Sequence, residues 1–161
     1  MAQAHQSDHD ALIIGISLDC GLEATRAAWA PRPVVGMTEA ACHMARLAGE
    51  RFALLTLGST MANSYRDHVA SLGLSDRLLG VAAPDAPEAF SAAAHEVLPS
   101  VLDALVAAAQ PLCDRGANSV VLAGAVLCGY APALSLRLNL PVFDGVTSAV
   151  QLIGQAWAQP H

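Results

Sequence analysis

The stretch Ser119-Val120-Val121-Leu122-Ala123-Gly124-Ala125-Val126-Leu127-Cys128-Gly129-Tyr130 decides the class of fold. It opens on a run of small and apolar residues with no polar alternation, the mark of a strand buried on both faces of a parallel sheet. Gly124, Gly129 and, a little further on, Pro132 break the run. It therefore reads as a buried strand, a turn and the start of a helix, not as a membrane span. The same order recurs along the chain. Apolar runs lie at Leu12 to Leu18, Pro33 to Met37, Phe52 to Leu57, Leu78 to Ala83, Ser119 to Ala125 and Pro141 to Val146. Segments of helical period separate them: Leu22 to Trp29, Glu39 to Ala48, Met61 to Leu72, Pro87 to Cys113 with a break near Pro99, Tyr130 to Leu138, and Thr147 to Ala158. Such alternation predicts an α/β fold, a layered parallel-type sheet with helices on both faces and right-handed crossovers.

Capping residues punctuate the pattern. Asp19 precedes the first helix, Thr38 the second and Ser59 or Thr60 the third, while Asp85 and Glu88 have capping-box spacing. Gly49, Gly73 and Gly116 follow helical stretches as stops. Six strand-to-helix turns are thereby expected at one edge of the sheet. Unpaired N–H groups and positive helix ends collect there, which suits a small carboxylate or phosphate.

Composition narrows the function. Of the 161 residues 54% are hydrophobic and 14% charged, so the chain has ample apolar surface for one core. The net charge is -6 and there is no basic cluster, which argues against a nucleic-acid partner. Cys20, Cys42, Cys113 and Cys128 are scattered, with no C-x-x-C pair and no secretory leader before them. Free thiols in a reducing, cytoplasmic setting are the simplest expectation. Lysine does not occur, which removes a P-loop lysine and Schiff-base chemistry. The six histidines form no H-E-x-x-H motif, and no metal or other cofactor is expected. His43, His68 and His95 read as partly buried helix residues.

Two turns draw attention, Gly15-Ile16-Ser17-Leu18-Asp19-Cys20-Gly21-Leu22 and Leu122 to Tyr130, each placing a Cys beside a Gly after a buried strand. A thiol near a helix N-terminus has a lowered pKa and becomes a better nucleophile or base. The alternative is that a small Cys fills a tight site as Ala or Ser would.

These motifs resemble the aspartate/glutamate/hydantoin racemase family. The resemblance rests on Asp10-Ala11-Leu12-Ile13-Ile14 leading into Asp19-Cys20-Gly21-Leu22, then Pro33 to Ala41 and Arg51 to Thr56, and later Gly116 to Leu122 and Pro141 to Val146 with Ala149-Val150. It covers nearly the whole chain. It implies two similar α/β lobes around a ligand cleft, the first lobe being incomplete. Residues 1–10 would form a polar leader, 11–50 a remnant of the first lobe, 51–140 the second lobe, and 141–161 a final strand and helix packing back on the first. The family's reaction, as the resemblance implies it, is cofactor-independent: two cysteines flank the substrate Cα, one removing a proton and the other delivering one, while N–H groups and hydroxyls hold the carboxylate and enolate. Aligned on the motifs, those cysteines fall on Ile16 and Gly124. Cys20 and Cys128, four residues beyond each, are the candidate catalytic pair. Ser17, Thr56, Ser59, Thr60, Gly124 and Ala125 are the candidate ligand-binding residues. The implied ligand is a small carboxylate or hydantoin-like ring, and a homo-oligomer is expected from the apolar surface that an incomplete lobe leaves. A non-catalytic binding or regulatory protein and an inactive shortened homologue are the other readings.

Overall fold

The computed structural model describes residues 9–92 and 96–157. Among the described residues six strands and six α-helices alternate: β1 (Leu12–Ile14), α1 (Leu22–Trp29), β2 (Val34–Gly36), α2 (Met37–Ala48), β3 (Phe52–Leu55), α3 (Ala62–Ser71), β4 (Leu78–Ala82), α4 (Pro99–Asp114), β5 (Ser119–Leu122), α5 (Ala131–Leu138), β6 (Val142–Asp144) and α6 (Gly145–Trp157). Each expected apolar run contains one strand. The strands are all parallel and form two sheets, a pair, β1-β2, and a set of four in the order β4-β3-β5-β6, in keeping with the two-lobed α/β architecture that the resemblance implies. The α/β class follows from the alternation, whereas the division into two sheets depends on which strand neighbours which, information that periodicity lacks.

The larger sheet holds the main core. All side chains of β3 and β5 are buried, in keeping with strands covered on both faces. On one face Leu55, Val120 and Leu122 pack with Val101, Leu105 and Leu112 of α4 and Leu134 of α5. On the other, Phe52, Leu54 and Val121 pack with Ala41, Cys42 and Ala45 of α2 and Tyr65 and Val69 of α3. The smaller sheet has two lesser clusters, Leu22, Trp29 and Val34 on one side and Met37, Ala40 and Ala149 on the other.

Two segments of the chain are built alike. β1, a one-turn 3-10 helix at Ser17–Asp19, α1, β2 and α2 correspond in order to β5, a 3-10 helix at Ala125–Leu127, α5, β6 and α6. The match extends to the pairing register. Leu12 lies opposite Val34 and Ile14 opposite Gly36, as Val120 lies opposite Val142 and Leu122 opposite Asp144. One constant offset relates Cys20-Gly21 to Cys128-Gly129, Pro33-Val34 to Pro141-Val142 and Ala41-Cys42 to Ala149-Val150. The two final helices of these units, α2 and α6, pack on each other. Their first turns touch: a Cβ on Gly145 would stand 3.0 Å from the Met37 carbonyl oxygen. Among the described residues no helix is long and apolar enough to cross a membrane.

Several capping expectations change. Asp19 does not cap α1, whose N-cap is Gly21 at φ 85° with no side-chain bond. Its carboxylate caps α2 instead, accepting from the Thr38 N–H at 2.9 Å and the Glu39 N–H at 2.8 Å. The helix starts at Met37, so Thr38 lies inside the first turn with its hydroxyl buried and unpartnered. Ser59 opens a 3-10 turn whose N-cap is Gly58, and Glu88 takes a hydrogen bond from the Ser100 hydroxyl at 2.9 Å instead of closing a capping box. Asp144 caps α6 through the Thr147 N–H at 2.8 Å. Pro99 starts α4, as its fixed φ favours, and Pro87–Phe90 before it form only a 3-10 turn.

Candidate functional site

Three strands end in the same device. After β1, β3 and β5 the chain turns into a 3-10 helix of three residues, Ser17–Asp19, Ser59–Met61 and Ala125–Leu127, closed by Asp19, Met61 and Leu127 donating to Ile16, Gly58 and Gly124 respectively. Gly58 (φ 79°) and Gly124 (φ 111°) adopt backbone that side-chain-bearing residues rarely take. Ile16 keeps an extended backbone, φ -116° and ψ 147°, and projects with 54% of its surface exposed. In parallel α/β sheets the carboxyl ends of the strands are where ligands are held.

The candidate ligand-binding residues populate these turns. Ser17 and Gly124 are half-buried, and Ser59, Thr60 and Ala125 are exposed. Thr56 is buried at the end of β3, its N–H donating to the Ala82 carbonyl at 3.0 Å.

The two candidate thiols occupy different surroundings. Cys20 is exposed and lines a cavity of about 440 Å³ with Leu18, Asp19, Glu23, His68 and Ser71. Cys128 is half-buried in a cavity of about 590 Å³ between α5, β6 and α6, with Pro132, Phe143, Asp144, Val146 and Val150 on its walls. No residue lines both cavities. Burial raises the Cys128 pKa first, and the Asp144 carboxylate raises it further through its charge and a side-chain hydrogen bond. Cys128 is therefore held as a thiol, able to donate a proton and poorly suited to remove one. Burial likewise pushes Cys42 to about 12 and raises Cys113.

A buried polar cluster escaped the sequence reading. The His68 Nε2 lies 2.9 Å from Asp19 Oδ2, so Asp19 joins α3 to the first turn of α2. Glu39, the next residue in that turn, accepts from Arg26 at 2.6 Å, and Arg26 also donates to the Val34 carbonyl at 3.0 Å. Asp19 and His68 lie far apart in sequence, and nothing in local spacing marks them as partners. The candidate histidines fare differently: His43 and His68 lie on helices, whereas His95 lies outside the described residues. Among the described residues no three His, Cys, Asp or Glu side chains are grouped to hold a metal ion.

The family model for Asp/Glu/hydantoin racemase matches residues 1–153. The chain belongs to the Asp/Glu/hydantoin racemase family. The hydantoin racemase of Paenarthrobacter aurescens is 32% identical over 144 residues, covering 89% of this chain and 59% of the relative. That of Rhizobium meliloti is 30% identical over 147 residues, covering 89% and 58%. Among solved structures, the allantoin racemase from Klebsiella pneumoniae superposes with a TM-score of 0.82 at 26% identity, over 94% of this chain and 60% of the other. This member of the racemase family thus spans about three-fifths of the length of the relatives it matches.

Proposed function

We propose that this chain binds a small cyclic amide of the hydantoin or allantoin type, or a related amino-acid-derived carboxylate, at the carboxyl ends of β1, β3 and β5. The observation that carries this reading is the threefold strand-end device in a chain of the racemase family. Turn N–H groups and the hydroxyls of Ser17, Ser59 and Thr60 suit a carbonyl or carboxylate oxygen, and they would also favour the enolate that forms when the neighbouring C–H loses its proton. Such binding needs no cofactor.

Proton transfer is the second part of the reading. A racemase of the two-thiol kind needs one thiolate and one thiol on opposite faces of the same carbon. Ile16 and Gly124 stand where the resemblance puts them, and neither side chain moves a proton. Cys20 and Cys128 are the remaining candidates, but separate cavities and the raised Cys128 pKa favour binding without racemisation.

Deuterium exchange in D₂O, followed by NMR, tests both parts on single-enantiomer 5-substituted hydantoins, allantoin and acidic amino acids. The wild-type chain is compared with Cys20→Ala and Cys128→Ala. Ligand-induced shift changes without catalysed exchange are the expected result. Catalysed exchange that disappears in either variant would assign the reaction to the two thiols, and the absence of any ligand-induced change would sink the binding proposal.

A further inference from the structure

We propose that His68 is a positioning residue of the ligand site: by donating its Nε2–H to Asp19 it holds the turn that carries Ser17 and ties it, through α3, to the turn that carries Ser59 and Thr60. His68 has this role on the reading that the ligand sits at these strand ends.

The two matching units show that the Asp19 carboxylate does more than stabilise. At their constant offset Asp19 corresponds to Leu127, and Gly36 to Asp144. In the unit of β5 the turn is anchored by an apolar side chain, Leu127, at 0% exposure in one cluster with Leu122 and Leu134. Helix α6 there is capped by its own Asp144 through the Thr147 N–H. In the unit of β1 a fully buried carboxylate replaces that leucine, and a glycine stands where the capping aspartate would be. Burying a carboxylate is costlier than burying a leucine, even when donors surround it. Capping α2 does not require it, since an aspartate just before the helix would cap α2 as Asp144 caps α6. What the carboxylate adds is direction. It accepts from the Thr38 N–H at 2.9 Å and the Glu39 N–H at 2.8 Å, with His68 Nε2 at 2.9 Å. A carboxylate only accepts, so Nε2 carries the hydrogen.

The turn after β1 needs that direction. The turns after β3 and β5 place positive φ on Gly58 and Gly124, whereas the turn after β1 places it on Leu18, at 61°, and Asp19, at 49°. Asn139 is the one other non-glycine residue with positive φ among the described residues. Such backbone persists only where its surroundings fix it, and it gathers at ligand sites. Here both fixings come from α3: Leu18 packs against the cluster that holds Tyr65 and Val69, and Asp19 meets His68. Helix α3 starts at Ala62, directly after the Ser59–Met61 turn. The helix thus carries the β3 turn at its start and clamps the β1 turn about two helical turns further on, so hydroxyls from two different sheets keep one spacing.

The test compares the wild-type chain with His68→Leu, which removes the donor, His68→Asn, whose amide is too short to reach Asp19, and His68→Gln, whose amide reaches it. Asp67→Asn, at an exposed neighbour on the same helix, is the control. Allantoin and a single-enantiomer 5-substituted hydantoin are titrated, with affinity read from ligand-induced NMR shifts where circular dichroism shows each variant folded. The dissociation constant should rise by about tenfold or more in His68→Leu and His68→Asn and stay within about threefold of wild type in His68→Gln and Asp67→Asn, as expected for a buried acceptor losing or keeping its donor. His68→Asn carries the comparison if His68→Leu does not fold. A residue that only stabilises the fold leaves the affinity of the folded protein unchanged. Wild-type affinity in the Leu or Asn variant, or a loss in His68→Gln as large as theirs, would therefore overturn the proposal and leave the strand-end reading standing. A wild-type chain that binds neither probe would overturn both.

Discussion

The Cys128 thiol beside Asp144 shows how one neighbour decides what a residue can do. Removing the thiol from water and setting it against a carboxylate both penalise the thiolate, so both act in the same direction. Alkylation proceeds through the thiolate, and a raised pKa leaves less of it at any given pH. Iodoacetamide labelling of Cys128, resolved from the other three cysteines by peptide mass spectrometry, should therefore rise only at pH values above the ordinary thiol range. Asp144→Asn removes the charge and retains an oxygen to accept the Thr147 N–H, so the labelling midpoint should move down. An unchanged midpoint would mean that burial alone sets it. The same comparison bears on function, since a Cys128 that stays protonated cannot serve as the base.

At the scale of the element, the junction of β2 and α2 is held by a carboxylate from another turn. Asp19 sits at φ 49° and is 3% exposed, with two helix N–H groups and His68 on its oxygens. Gly36 makes room for it. A Cβ there would stand 2.6 Å from Asp19 Oδ2, although the backbone at φ -81° is open to any residue. Gly36→Ala should thus displace the carboxylate and weaken the cap, costing roughly 1–3 kcal/mol, the range for overpacking a filled site. Urea unfolding would measure this; a loss below about 0.5 kcal/mol would show that Asp19 moves aside without cost. The limits of reading the chain are visible at this junction. Strand β2 and helix α2 are legible because apolar runs and helical period are local. Asp19 was legible as a capping residue, but not the helix it caps, because that depends on how two strands pair and bring distant segments together. The turns after β1 and β5 were legible from a Cys beside a Gly, and the turn after β3 through the resemblance, whereas the pairing of His68 with Asp19 could be found only by folding the chain.

For the whole molecule, the two sheets differ in how firmly they are held. β3 and β5 have neighbours on both sides and four buried residues each, whereas β1 and β2 have three residues each and, among the described residues, only each other. A two-stranded sheet is marginal without further packing, and here that packing comes from Leu22 and Trp29 of α1 on one side and from α2 and α6 on the other. Opening of the small sheet breaks fewer buried contacts than opening the large one, so it should have a lower free energy. Native-state hydrogen exchange should accordingly show the β1 and β2 amides exchanging at least about tenfold faster than those of β3 and β5, a difference of ~1.4 kcal/mol or more. Equal protection would mean that the molecule opens only as one cooperative unit and that α2 and α6, packed across both sheets, bind them together.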